Sequence, residues 1–409
     1  MKHLSLLSLL VFMSVFSLAA TINVPANQPT IQAGINAAKN GDTVLVAPGT
    51  YFENINFMGK SINVKSSGGA KVTIIDGGNV NSVVTFNTGE GLKSLLHGFT
   101  IQHGNATFQG GGIYIYNASP TITGNIVTNN ISCLEGAGID VLFSSAVIQG
   151  NTISNNTGPG CDLSGAGMTV RGQGAAQIIG NLIENNTTPG DGGGIEVNAA
   201  GTPTLKNNII RGNVAYSNGQ GGGIWMVNVS DALIVQNLIY NNSAGQGAGI
   251  YFLVPYGYRG PLLVNNTIVG TSSSPVGSAV YAAGFYDQVQ FYNNLLIGAS
   301  GTSAVYCDST YDQTPPTLTS TDGYSLNGTG IAGACSSQSG TNGNISADPL
   351  FVGATFFRLT AGSPAIDAGD NSAPNIPPLD LAGKPRIVNG DGDGQAIIDM
   401  GAYEYQPPL

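Results

Sequence analysis

Apolar residues recur through the middle of this chain at fixed distances from an asparagine. Two residues after Asn125, Asn151, Asn181, Asn208, Asn237, Asn266 and Asn294 stand Val127, Ile153, Ile183, Ile210, Ile239, Ile268 and Leu296. Three residues before the same asparagines stand Ile122, Ile148, Ile178, Leu205, Ile234, Leu263 and Phe291. Farther upstream a Gly-rich turn leads into another alternating stretch, in which pairs such as Ile113/Ile115, Ile139/Val141 and Ile195/Val197 share one parity. Period-two alternation broken by Gly and Asn turns predicts short strands. The intervals between the asparagines are 26, 30, 27, 29, 29 and 28 residues. A period that tolerates small insertions while keeping its apolar frame marks a solenoid, each unit burying its face only against its neighbours. About three strands per unit predict an all-β parallel β-helix, with equivalent residues stacked about 4.8 Å apart in columns.

The repeated asparagine has the parity of the inward aliphatics, so it is predicted to turn inward at a bend. There its amide can bond to its neighbours in the column and to turn backbone. The open end of a solenoid exposes strand edges and needs a cap. Residues 30–38, TIQAGINAA, place Ile31, Ile35 and Ala38 at helical spacing before an Asn40-Gly41 stop, which predicts a short capping helix. The strands are expected to begin after it, at Thr43 to Val46.

Composition sharpens this. Only 9% of residues are charged and 60 of 409 are Gly, so Asn, Ser, Thr and Gly must cover much of the surface. With 42% hydrophobic residues the chain is not a disordered acidic tract. A net charge of −10, without any Lys/Arg cluster, argues against nucleic acid as a partner. Residues 1–20 read as a secretory signal: Lys2 and His3, an apolar run over 4–16, and a small-residue site with cleavage after Ala19 or Ala20. No later segment is apolar enough to span a bilayer. A soluble, exported monomer is expected, extracellular, periplasmic or at the cell surface. Cys133 and Cys161 lie 28 residues apart, as do Cys307 and Cys335, one coil in each case. Two coil-to-coil disulfides are predicted, four free thiols being the alternative.

The stretch TIQAGINAAKNGDTVLVAPGTYFENI, the Gly-Asn-x-Ile-x-x-Asn-Asn coils, and the segments NISADPLFV and FRLTAGSPAIDAG resemble secreted bacterial right-handed β-helix proteins of the pectate-lyase-like superfamily. LDLAGKPRIVNGDGDGQAIIDMGAYEY resembles the choice-of-anchor Q tail. The resemblance implies a signal over residues 1–20, a capped right-handed β-helix over 21–345 and a tail or cap over 346–409. It implies little about activity, since such folds host lyases, hydrolases, esterases, epimerases, adhesins and passive scaffolds. The Asn-Thr-Asp, Asp-Asp, Gly-His-Gly and Arg-Ile-Lys motifs of polygalacturonase-like enzymes are absent, as are the signatures of pectin methylesterases and the Arg-x-Pro-x-x-Arg of pectate lyases. His97 and His103 read as structural or surface residues.

What remains is a column. Between the inward residues of the strand after the Gly-rich turn stand Tyr114, Asp140, Thr169, Glu196, Trp225, Tyr251 and Tyr281. The next outward column holds Tyr116, Leu142, Arg171, Asn198 and Val227. Aromatic faces beside carboxylates suit a groove for sugar rings; the alternative is a solvated sheet face with stacked aromatics. Tyr114, Tyr116, Trp225, Tyr251 and Tyr281 are the candidate substrate-binding residues, and Asp140, Arg171 and Glu196 the candidate catalytic ones. Two rungs put the backbones of Asp140 and Glu196 about 9.6 Å apart, and side-chain tilt could bring the carboxyls within the about 6.5–9.5 Å of inverting glycosidases. Arg171 between them could hold an acidic sugar. Glu135, Asp162 and Asp191 in the preceding turns offer a cation site instead. Glu184 and Arg211 are expected to form a surface ion pair.

In the tail, Asn389, Asp391, Asp393 and Asp399 alternate as in a calcium loop, but Met400 stands where an EF-hand has its bidentate Glu. Calcium is the candidate cofactor, a metal-free Gly-Asp loop the alternative. The sequence points to a secreted protein that binds or processes extracellular polysaccharide, as a lyase or glycoside hydrolase if it is an enzyme. A noncatalytic surface or matrix scaffold is the other reading.

Overall fold

A computed structural model describes residues 19–407, apart from 159–163, 217, 256, 272, 275, 286–287, 312–313 and 354. The chain winds as a parallel β-solenoid of about ten turns with one short α-helix. Each coil adds a strand to three sheets. In one coil Ile113–Tyr116 lies in an eleven-stranded sheet, Thr121–Thr123 in a twelve-stranded sheet and Ile126–Thr128 in a second eleven-stranded sheet. We call these the front, base and flank sheets. Successive coils pair in parallel and in register, Ile113 with Ile139, Ile122 with Ile148 and Val127 with Ile153. The inward residues predicted from the alternation form one continuous buried core, each large side chain worth about 1.5–3 kcal/mol of transfer free energy.

The corner between base and flank sheets explains the repeated asparagine. The residue before it is left-handed in every copy: Gly124, Gly150, Gly180, Asn207, Gln236, Asn265 and Asn293 have φ between 53° and 64°. Gly and Asn tolerate that conformation best. The bend turns the asparagine inward, where Nδ2 of Asn125 donates to Oδ1 of Asn151 at 3.2 Å and the ladder continues through Asn181, Asn208, Asn237 and Asn266 to Asn294. Each of these amides also donates to the carbonyl of an inward residue one coil back, such as Ile122 or Ile148. A second ladder, five residues later, was not anticipated. Asn130, Asn156, Asn186, Asn213 and Asn242 are linked amide to amide at 2.9–3.0 Å. Its signal was the second Asn of each Asn-Asn pair, the first of which is the left-handed residue at Asn129, Asn155, Asn185 and Asn241.

The helix forms at Ile31–Ala37, with Ile31, Ile35 and Ala38 in the core as predicted. Thr30 Oγ1 accepts from the Ala33 amide, and the Glu53 carboxylate accepts from the amides of Ile31 and Gln32 at 2.8 and 2.9 Å. Lys60 Nζ donates to the carbonyls of Ile35, Asn36 and Ala38 at the other end. Opposite charges thus meet the two poles of the helix dipole. Thr43–Val46 is a strand but not the first one: Thr21–Val24 precedes the helix and pairs alongside it. Four residues before Pro25 were too short an alternation to read.

Cys307 and Cys335 form the predicted disulfide, with Cα atoms 5.6 Å apart. Cys133 is also disulfide-bonded; its expected partner Cys161 lies outside the described residues, as do residues 1–18 of the expected signal segment 1–20. No helix among the described residues is long and apolar enough to cross a membrane.

The tail lies along the flank sheet. Phe357, Leu381 and Tyr403 pack on Ile209, Leu238, Tyr240 and Val269, while Leu359, Ala365 and Met400 pack on Leu295 and Ile297. Corner side chains of the solenoid hold its backbone: Gln236 Nε2 donates to Leu379 O, Asn265 Nδ2 to Asp399 O and Asn293 Nδ2 to Asp370 O. The second outward flank position, Thr128, Ser154 and Glu184 in early coils, becomes Tyr240, Val269 and Ile297 where the tail covers it.

Candidate functional site

The front-sheet column exists as read from the sequence. Tyr114, Asp140, Thr169, Glu196, Trp225, Tyr251 and Tyr281 are successive in-register partners, and Tyr306 extends the series. Tyr116, Leu142, Arg171, Asn198 and Val227 form the adjacent column. The face is not solvated, however: Asp140 is 0% exposed, Glu196 3%, and Tyr251 and Tyr281 6% each. The Gly-rich loop before each strand folds back over that strand's outer side. A Cβ on Gly136 would collide with the Ile139 carbonyl and press on Asp140, and one on Gly165 would collide with Thr169 and Glu196. Both glycines are left-handed, at φ 39° and 62°. Small residues are therefore required where loop backbone lies flat on the sheet.

That loop carries Glu135 to the charged centre of the column. Arg171 binds Asp140 through two nitrogens, Nε to Oδ1 at 3.3 Å and Nη2 to Oδ2 at 3.0 Å, and its Nη1 lies 3.3 Å from Glu135 Oε1. Glu135 Oε2 is enclosed without a hydrogen-bond partner. Glu196 Oε1 accepts from Asn198 Nδ2 at 3.0 Å, and its Oε2 lies 3.3 Å from Thr169 Oγ1. Thr169 Oγ1 accepts from the Gly136 amide, and its one proton is shared between Ser164 O at 3.1 Å and Glu196 Oε2.

Burial raises Glu196 to about 7, against the hydrogen bonds from Asn198 and Thr169 and the charge of Arg171. Burial also raises Glu135 to about 7, helped by the charge of Glu196 and opposed by Arg171. Asp140 is raised by burial and restrained by its bonds to Arg171. Of the three predicted catalytic residues, Asp140 and Arg171 are locked together and Glu196 sits one rung beyond. The group sequence reading placed elsewhere is Glu135, taken for a turn ligand. Asp162 lies outside the described residues, and Asp191 accepts from the Gln220 amide at 2.7 Å.

Aromatic residues flank the charges along the axis. Tyr251 and Tyr281 stack with centroids 5.5 Å apart and 11° between planes, and Tyr281 meets Tyr306 at 5.3 Å. Trp225 Nε1 donates to Gln220 Oε1 at 3.2 Å, and the Tyr281 hydroxyl donates to Asp308 at 2.8 Å. On the other side Tyr114 stacks on Tyr116, which meets the exposed ring of Phe143 at 6.4 Å.

Elsewhere, Arg211 pairs with Glu184 at 2.7 Å as expected, and with the Tyr240 hydroxyl. His103 bonds Asp76 at 2.8 Å and His97 the Thr123 carbonyl. In the tail, Asn389, Asp391 and Asp393 accept from loop amides two or three residues ahead, and Asp399 turns inward to the amides of Asp367 and Tyr405. The four do not converge, and among the described residues no three His, Cys, Asp or Glu are grouped to hold a metal ion.

Residues 111–296 match the family profile described as "Right handed beta helix region". The crystal structure of pectate lyase Pel9A superposes with a TM-score of 0.60 over 95% of this chain and 97% of that one, at 16% identity. At that identity the likeness is one of fold. No curated protein matches the sequence. The fold is a parallel β-solenoid whose central coils resemble that family.

Proposed function

We propose that this is an exported protein that binds and cleaves polysaccharide at the charged centre of its front sheet. The observation that supports this best is Glu135, part-exposed with one carboxyl oxygen unpartnered, beside a buried Glu196, both titrating near neutrality. Two neighbouring carboxyls poised this way can divide the work of acid and base, one protonating the departing glycosidic oxygen while the other takes a proton. Arg171, anchored by Asp140, holds Glu135, while Asn198 and Thr169 hold Glu196. Tyr114, Tyr116 and Trp225 offer ring surface on either side, and Tyr251 and Tyr281 support Trp225 from the buried part of the column. Cys133 and the Cys307–Cys335 disulfide fit an oxidising compartment.

The test is a panel of polysaccharides screened for binding, then for products. Glu135→Gln and Glu196→Gln should each lower turnover by about 10²–10⁴-fold while binding persists. Unchanged turnover in both variants would remove the catalytic assignment. One observation favours a second reading, the noncatalytic scaffold: Tyr251 and Tyr281 spend their faces on each other rather than on solvent. Binding without product from any glycan would select it.

A further inference from the structure

Phe143 is hard to explain by the fold alone. It occupies the left-handed corner after a front-sheet strand, at φ 51°, where neighbouring coils place Asn117, Gly172, Ala199 and Asn228. A bulky side chain is disfavoured in that conformation, and burial does not compensate, since the residue is 49% exposed. Its ring rests over Gly172, where any side chain would collide with it, and edge-on to Tyr116, itself 36% exposed. Tyr116 and Phe143 thus form an open aromatic surface. It adjoins Leu142, the in-register partner of Arg171, and through Arg171 it adjoins Glu135.

The charges beside this surface constrain what can lie on it. Arg171 is the one basic residue in the eleven strands of the front sheet. Three of its nitrogens are held by Asp140 and Glu135. Two of its five N–H groups remain, so a sugar carboxylate would be the third carboxyl group on one guanidinium. A polyuronate would bring further negative charge to a centre with three carboxyls and one guanidinium, in a chain of net charge −10. Eliminative cleavage also requires a carboxylate on the sugar, to acidify the C–H whose proton is removed.

Resting on the polysaccharide reading above, we infer that the substrate is an uncharged polysaccharide, one pyranose stacking its apolar face on Tyr116 and Phe143, and that cleavage is hydrolytic. Water adds across the glycosidic bond: its oxygen bonds the anomeric carbon, one proton goes to a carboxylate and the departing oxygen receives a proton from the other carboxyl. Stacking on an exposed ring suits a pyranose face, and Glu135, about a quarter exposed, is held by Arg171 beside that surface.

The test uses the disulfide-intact protein with hydroxyethyl cellulose, laminarin and galactomannan as neutral probes, and polygalacturonate and alginate as anionic ones, with and without calcium. At least one neutral polymer should be retained in affinity electrophoresis, more strongly than either polyuronate, and yield reducing ends without an ultraviolet-absorbing double bond. Phe143→Asn should weaken that binding at least tenfold while the melting temperature stays level or rises, because Asn suits the corner; a purely structural Phe143 would lower melting instead. Retention of polyuronate alone, or an unsaturated product, would overturn this inference and leave the polysaccharide reading standing. Neutral binding untouched by Phe143→Asn would overturn the stacking surface. Binding to none of the probes, with a wider glycan panel also negative, would sink both.

Discussion

Two arginines in this molecule each face more carboxyls than they can neutralise, and they differ in what surrounds them. Arg386, in the tail, is 1% exposed, as is Glu404, which it meets at 3.3 Å; its remaining nitrogens donate to Gln236 Oε1 and Gly401 O. Glu404 in turn accepts from the amides of Val388 and Asp399. Nearly every polar atom there is used, and the set spans 150 residues of sequence to join tail to solenoid. Arg171 and Glu135 are about a quarter exposed, and Glu135 keeps an unpartnered oxygen. A closed, satisfied network holds structure together; a part-exposed one that leaves an enclosed acceptor unused keeps an unmet demand for a proton or a donor.

The comparison can be broken most directly by removing each arginine. Arg386→Ala should cost about 3–5 kcal/mol, because it strands a buried carboxylate, and urea unfolding should show it. Arg171→Ala should cost less, about 1–3 kcal/mol, since Arg171 and Glu135 are each about a quarter exposed and water can enter the space left. If Arg171→Ala proves the costlier, the front cluster is a structural clasp and the contrast fails.

Titration sharpens it next. Glu135, Glu196 and Asp322 sit near 7 in the folded protein, and Asp399 is also raised, chiefly by burial. Folded states with raised carboxyl pKa values hold protons that the unfolded chain has released, so this stabilisation is complete below the unfolded carboxyl range and is lost as pH rises through about 7. Stability should therefore decline between about pH 4.5 and 7.5, and Glu196→Gln should flatten part of the decline. A melting temperature that climbs over this window would contradict the assignments. Asp42, Asp76 and Asp308 are lowered instead and act only below that window. The smallest effect expected is from chelation. With Asn389, Asp391 and Asp393 committed to their own loop amides, EDTA should leave the melting temperature unchanged, and a fall would restore a calcium site in the tail.

The Glu135 cluster and the tail show where sequence reading stopped. Parity placed Asp140 and Glu196 correctly in one column, two rungs apart, but parity says which side of a sheet a residue faces and nothing about what lies over it. Glu135 stands at the start of a Gly-rich loop, and only the path of that loop shows that it reaches Arg171. The tail left a faint signal, the change from Thr128 and Ser154 to Tyr240, Val269 and Ile297 at the second outward flank position. That signal says that something covers those coils without saying what.

Coil length, inward residues, asparagine ladder and capping helix were fixed by local chemistry repeated coil after coil. A period of two, a left-handed corner that favours Gly or Asn and a helical spacing each need only a few adjacent residues, and repetition separates the pattern from accident. Tertiary structure alone decided which carboxyl Arg171 holds, which glutamate stays open and where the tail lies. Those outcomes depend on contacts between residues 27 to 150 apart that occur once each, so no period in the sequence announces them.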